Sequence, residues 1–310
     1  MSIYENLTEF NDKPIKSFKK PGDIKDFAAT APRLACEYDE PDTIQLLLSI
    51  LLEQPGVEAL DSLVIGLWSE NGEAFEVTPQ AWIELLVAEK TKLPNLEALF
   101  SGDITSEENE ISWIMQGDMS SIWAAFPALK TVAVRGGNGL RLGKINHSNL
   151  QKLVVQTGGL PVAVIREALE ANAPLTHLEL WLGDEGYGAN SSVADFTQLM
   201  EGKLFPELKY LGLCNSQYSD DLAKAIAQSA IIDRLEVLDL SSGTLKDKGA
   251  DALLASGKLG GLKLLDIHHH FLSPSKVEEL KAAVPKLIAN DPQEPDEWDD
   301  EVHYYVAVSE

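Results

Sequence analysis

One short pattern returns along the chain: a leucine, two residues, an apolar residue, one residue, and usually a second apolar residue. It reads LDSLVI from Leu60, LEALFS from Leu96, LKTVAV from Leu129, LQKLVV from Leu150, LTHLEL from Leu175, LKYLGL from Leu208, LEVLDL from Leu235 and LKLLDI from Leu262. The spacing between successive matches runs from 21 to 36 residues. Recurrence at such a period marks a stacked-repeat protein, because a unit this short cannot bury its own apolar face. Alternation within each match predicts a strand whose apolar side chains point one way.

The segments between the matches carry helix signals. Thr78-Pro79 and Ser273-Pro274 set a hydroxyl before a proline at the first helical position, and Thr105 with Glu108 has capping-box spacing. Ser219 with Asp220 and Asp221 is a third such start. Apolar residues follow at helical spacing, as in Leu222, Ala225 and Ile226, or Val277, Leu280 and Val284. Pro94, Pro127, Pro174 and Pro206 then stand one or two residues before the leucine that opens the next strand. Strand, helix and return to the next strand, with right-handed crossovers, predict parallel stacking. The expected fold class is α/β: a leucine-rich-repeat solenoid, or horseshoe, with a parallel inner sheet and outer helices.

The stretch LEVLDLSSGTLKDKGADALL, with Leu235, Leu238, Leu240 and Leu245 at leucine positions and Gly249 in the helix, resembles a ribonuclease-inhibitor-type leucine-rich repeat. SLVIGLW at 62, GDITSEENEISWIMQGD at 102, VRGGNGL at 134, TGGLP at 157, LELWLGDEGYG at 178 and DLSSGTLKDKGA at 239 are together similar to a family of bacterial cytoplasmic leucine-rich-repeat proteins whose function is not established. That resemblance implies a fold and a compartment, and it brings no catalytic residue with it.

Three regions are expected. Residues 1–56, with the apolar stretch TIQLLLSILLEQ, would cap the first repeat; 57–289 would form the repeat domain; 290–310 would be an acidic tail or cap. Within that tail DPQEPDEWDDE reads as a solvated linker, and VHYYVAVSE alternates as a short strand able to cap the final repeat. A further expectation is that the tail, with Trp298, Tyr304 and Tyr305, is itself a partner's ligand or folds back on the repeats.

Charge narrows the partners. With 49 acidic residues against 25 basic ones the net charge is -24, which repels phosphate backbones and anionic lipids. Nucleic acid and membrane surfaces are therefore not expected, and a protein or peptide with a basic patch is. The opening MSIYENLTEF lacks the charge and apolar run of a signal peptide, and Cys36 and Cys214 are too few for a disulfide framework, so a cytoplasmic location is expected.

No local motif supplies chemistry. RGGNGLRLGK, 135 to 144, places Asn138 where a phosphate loop needs glycine and Ile145 where it needs Ser or Thr, so a turn with positive-φ glycines is expected. The cluster Asp103, Glu107, Glu108 and Glu110 lacks the ligand order of a calcium loop and suits a helix start. No catalytic residue, metal ligand or cofactor is assigned.

The repeat register does predict a shared face. Between the core positions lie Val64, Phe100, Ala133, Val154, Glu179, Gly212, Asp239 and Asp266, and two residues further on lie Gly66, Gly102, Arg135, Gln156, Trp181, Cys214, Ser241 and His268. Partner-binding residues on this concave face are expected to be Phe100, Arg135, Glu179, Trp181, Asp239, Asp266 and His268. The function expected is non-enzymatic: a protein–protein interaction or scaffolding module. The alternative is a metal-dependent hydrolase built on Asp239, Asp266 and His268. In HHH, residues 268 to 270, His268 should leave the strand on the concave side, near Asp239, Asp266 and Ser241; His269 should face solvent and His270 should turn inward to bond the backbone. Their oligomeric and pathway context leaves no mark in the sequence.

Overall fold

The computed structural model describes residues 3–37, 43–68, 77–298 and 301–309. Asp299 and Asp300 of the acidic linker lie outside the described residues. The chain divides into two compact units, Met1–Val155 with Glu170–Ala173, and Gln156–Leu169 with Pro174–Ser309. Each is built from the same strand–helix repeat, and the fold is an α/β leucine-rich-repeat solenoid.

In the first unit the strands are β1 (Glu9–Phe10), β2 (Lys13–Ser17), β3 (Ala31–Leu34), β4 (Ser62–Ile65), β5 (Ala98–Ser101), β6 (Thr131–Arg135) and β7 (Lys152–Gln156), and they follow one another in sequence order. The helices α1 (Ile44–Leu52), α2 (Gln80–Ala88) and α3 (Ser120–Ala125) connect some of them. Parallel pairing begins at β2, with Ile15 opposite Ala31 and Arg33 opposite Val64, so the segment expected to cap the repeats already contributes strands to the sheet. Leu60, Leu63, Ile65, Leu96 and Leu99 are all buried, as the pattern requires.

The other sheet face of this unit is also buried. Glu9 and Phe10 turn back antiparallel onto Lys13 and Pro14, across a tight turn in which Asn11 and Asp12 both take positive φ. Asn and Asp tolerate this left-handed backbone better than other non-glycine residues. The turn lays Phe10 on the sheet, where it packs with Ala31, Val64, Ala98, Phe100, Ala133 and Val154. Its ring centroid lies 6.0 Å from that of Phe100. Polar anchors hold the segment in place: Asn6 Nδ2 donates to the Asp103 carbonyl, while Leu7 N–H and Arg33 Nε donate to its carboxylate, the latter at 2.8 Å.

Asp103 begins the turn that Thr105 and Glu108 close, with the Thr105 backbone N–H donating to Glu108 at 2.8 Å and the Glu108 N–H to the Thr105 hydroxyl at 3.3 Å. The capping-box bonds form as expected, but around a turn rather than a regular helix. The glycine stretch also behaves as a turn, with Gly136, Gly139 and Gly143 at positive φ. At Gly136 a side chain would strike Ile114 at 2.6 Å.

The second unit holds α4 (Val162–Leu169), β8 (His177–Gly183), α5 (Thr197–Met200), β9 (Tyr210–Ser216), α6 (Ser219–Ala227), β10 (Val237–Asp239), α7 (Asp247–Ala255), β11 (Leu264–Asp266), α8 (Pro274–Ala283) and β12 (Leu287–Ile288). Strands β8 to β12 pair in parallel and in sequence order. Leu235, Leu238, Leu240 and Leu245 are buried at their expected positions. Gly249 sits where α7 approaches α6: a Cβ there would meet Asp220 Oδ1 at 2.6 Å, and its N–H instead donates to that carboxylate. The proline-led start of α8 is as expected, although the Ser273 hydroxyl makes no cap bond. Beyond β12 a short antiparallel hairpin, β13 (Asp296–Trp298) and β14 (Glu301–His303), precedes an extended end segment.

Replacing Phe10 with Ala should destabilise the protein by about 3–5 kcal/mol, the usual cost of deleting a buried phenyl ring. Urea unfolding of the F10A chain against wild type measures this directly.

Candidate functional site

The inner face of the second unit is set by strand register. Glu179 pairs with Gly212, Gly212 with Asp239, Asp239 with Asp266 and Asp266 with Ile288, which puts three carboxylates in one column across the strands. Two residues earlier on the same face stand His177, Tyr210, Val237 and Leu264, each partly exposed. Gly212 leaves a gap in the column that its neighbours fill. A Cβ there would meet Glu179 Cγ at 3.0 Å and the Tyr210 ring at 3.2 Å.

Hydrogen bonds fix each carboxylate. Trp181 Nε1 donates to Glu179 Oε1 at 2.9 Å, and His177 Nε2 lies 3.4 Å from Glu179 Oε2. The His177 ring stacks on Tyr210 with centroids 3.7 Å apart and planes 8° from parallel. The Tyr210 hydroxyl in turn donates to Asp239 Oδ2 at 2.6 Å, while Asp239 Oδ1 accepts the Ser241 N–H at 2.9 Å. Asp266 Oδ1 accepts from the His268 N–H at 3.0 Å and contacts His268 Nδ1 at 2.8 Å. His268 Nε2 faces the Ser242 hydroxyl at 3.4 Å, so its near neighbour is Ser242 rather than the expected Ser241.

These contacts divide the carboxylates electrostatically. Burial alone would raise the Glu179 pKa, but the bonds from His177 and Trp181 help to hold it at about 2. Asp239 goes the other way: burial, and then the neighbouring Asp266 charge, push its carboxyl above the usual range. The hydrogen bond to Asp266 raises the pKa of His268. Burial keeps the Cys214 thiol and the Tyr210 hydroxyl protonated, each pushed further up by Asp239. The face thus presents fixed negative charge and stacked rings, without an activated nucleophile. Among the described residues, no group of three or more His, Cys, Asp or Glu is arranged to hold a metal ion.

The expected concave-face residues fall into different environments. Phe100 and Arg135 are fully buried, Phe100 beneath the first unit's own N-terminal segment. Arg135 lies over the Phe100 ring at 5.6 Å and donates to the Ile104 carbonyl at 2.7 Å. Burial lowers its pKa to about 10, against the opposing pull of Asp103 and Glu108. Trp181 is buried too, its indole N–H committed to Glu179, so it offers no exposed aromatic anchor. Glu179 and Asp239 are each 8% exposed, whereas the Asp266 and His268 side chains are 16% and 39% exposed. His177 and Tyr210 are site residues that the pattern reading passed over. The signal was present, since alternation places the residue two before each column position on the same face.

The three adjacent histidines have three environments. His270 is buried and turned inward: its Nε2 lies 3.2 Å from the Ala289 carbonyl and its Nδ1 accepts the Leu272 N–H at 3.1 Å. Burial lowers its pKa, and these partners require a neutral ring with the proton on Nε2. His147 repeats the arrangement in the first unit, between the Phe126 carbonyl and the Asn149 N–H. His269 departs from the expected solvent-facing position. Its side chain is only 12% exposed, with Nε2 against the Tyr305 carbonyl at 3.1 Å and Nδ1 3.4 Å from Asp291.

A protein of this build belongs to the leucine-rich-repeat class. A crystal structure of a Bacteroides fragilis protein is similar to this chain at 32% identity, covering 84% of this chain and 74% of that one, with a TM-score of 0.78. The chain belongs to the family of that protein. An internalin (inlF) from Listeria monocytogenes aligns at 14% identity over 90% of this chain and 87% of its own, with a TM-score of 0.37, too distant to carry any argument. No protein-family profile and no curated protein matches the chain. No described helix is long and apolar enough to cross a membrane.

Two substitutions test the site's energetics. A group with a raised folded pKa contributes stability below its unfolded pKa and loses it as the pH rises through the folded value. Asp239→Asn keeps an acceptor for the Ser241 N–H, turns the Tyr210 hydroxyl from donor to acceptor and removes a charge that burial and Asp266 disfavour, so it should raise the melting temperature at pH 7. That advantage should shrink as the pH is lowered towards 4 in a series of thermal melts. His270→Ala orphans the buried Leu272 N–H and the partly buried Ala289 carbonyl and should cost about 1–3 kcal/mol in urea unfolding.

Proposed function

We propose that the protein is a binding module whose inner face on the second unit takes a protein or peptide carrying basic, hydrogen-bond-donating side chains. The observation that carries this reading is the column Glu179, Asp239 and Asp266, negative charge held on a sheet face and flanked by the stacked His177 and Tyr210. Ionised groups fixed by their own hydrogen bonds meet a partner without paying to be ordered, which favours charge-complementary recognition. The partly exposed Val237 and Leu264 beside them supply apolar contact area. The net charge of -24 adds long-range attraction for a basic partner and repulsion for nucleic acid and anionic lipid.

Catalysis finds no supporting observation. Each acid of the rival hydrolase reading is already engaged, Asp239 by Tyr210 and Ser241 and Asp266 by His268.

Affinity capture from native cell extract, with the bound proteins identified, tests the reading. The pair Asp266→Lys and His268→Gln, at two partly exposed positions, should cut retention of the captured partner at least tenfold. Glu278→Lys, on the exposed side of α8, should leave it unchanged. Equal retention by all three proteins would remove this assignment.

A further inference from the structure

The end of the chain lies along a ledge on the second unit. Asn215, Ser242 and His269 occupy equivalent positions, each just past its strand's inner-face residues, and all three take positive φ of 52°, 62° and 56°. Such backbone interrupts the regular alternation of the strand and leaves polar groups available there. The extended segment 304–309 crosses these three positions in turn. His269 Nε2 meets the Tyr305 carbonyl, the Ala307 N–H donates to the Ser242 carbonyl at 2.8 Å, and the Val308 N–H donates to Asn215 Oδ1 at 3.0 Å. Asn215 Nδ2 donates back to the Val308 carbonyl, so one side-chain amide grips both backbone groups of one residue.

Side chains of the segment alternate between the ledge and solvent. Val306 and Val308 are 6% and 5% exposed, while Tyr305, just before them, is 51% exposed and Ala307 between them is partly exposed. Tyr304 packs edge-on against Phe271 with centroids 5.0 Å apart, and Lys246 Nζ lies 4.4 Å from its ring. Main-chain hydrogen bonds supply affinity and alternate side-chain pockets supply selection: this is how proteins recognise extended peptides.

From Gln293, whose N–H donates to the His270 carbonyl at 2.8 Å, a tether leads to this end segment. It runs through the exposed acidic residues Glu294, Asp296 and Glu297 and the two-stranded hairpin β13–β14, which bears the exposed Trp298 and Val302. A lone hairpin of this length is at most marginally stable in water.

We propose that this ledge is a peptide-binding groove, filled in cis by residues 304–308 and open in trans to a partner's extended segment of the form aromatic-x-aliphatic-x-aliphatic. A second copy of the chain is the poorer occupant, because two chains of charge -24 repel. The site lies at the strand ends and is separate from the carboxylate column.

The test uses the full chain and a fluorescein-labelled peptide YYVAVS, the sequence of residues 304 to 309. Val306→Asp with Val308→Asp should free the groove and bind the peptide at least tenfold more tightly than wild type by fluorescence anisotropy. Adding Asn215→Ala to that chain should weaken binding at least tenfold. If the double variant keeps the wild-type far-UV circular dichroism yet binds no better than wild type, the groove assignment falls. Native-state hydrogen exchange on the wild type gives a reading that does not depend on the variants folding. The Ala307 and Val308 amides should exchange at least tenfold faster than those of Leu211 and Leu213 in β9, and equal rates would overturn the proposal. A wild-type dimer by light scattering that is lost in Asn215→Ala would assign the groove to a second copy and overturn the partner assignment.

Discussion

Everything in this protein depends on strands that cannot shelter their own leucines. A strand such as Val237–Asp239 has three residues, and its flanking Leu235, Leu238 and Leu240 are buried only because neighbouring repeats stand on either side. Register follows from that need, since a slip of one residue would turn every leucine to the wrong face. The same register places Asp239 opposite Asp266 and Glu179 opposite Gly212. Bringing carboxylates together in a column is thus a consequence of burying leucines, and the electrostatic cost falls on Asp239, as buried as Glu179 but set beside the Asp266 charge.

The inner faces of the two units are treated differently. In the first, apolar residues fill the column and the chain covers them itself, with Phe10 as the wedge and Asp103 as the polar anchor. In the second, carboxylates fill the column and rings lie beside them. An apolar face needs a lid and a charged face needs counter-groups, so composition at one register position decides which face stays accessible.

The repeat, its leucines and the inward turn of His270 were legible in the sequence, because each follows from a local period of a few residues. The burial of Phe100 and Arg135 was not. For Phe100 it depends on Leu7 and Phe10 returning to the sheet from far away in sequence, and nothing in MSIYENLTEF specifies that destination. His269 was misplaced for the same reason, since its partner Tyr305 belongs to a segment whose path has no local signature. Trp181 illustrates a different gap. Alternation located it on the right face, but its indole N–H is taken up by a short-range bond to Glu179 that periodicity does not describe.

The five parallel strands of the second unit also act as a ruler. Neighbouring strands stand about 4.8 Å apart, so the four steps from β8 to β12 measure roughly 19 Å. An extended chain laid across them advances about 3.3 Å per residue, and about six residues fill that length. Glu179 and Asp266 stand three strand steps apart within it, roughly 14 Å, which corresponds to side chains about four residues apart on such a ligand. On the function proposed above, the segment that suits this face would carry two basic residues set at that interval.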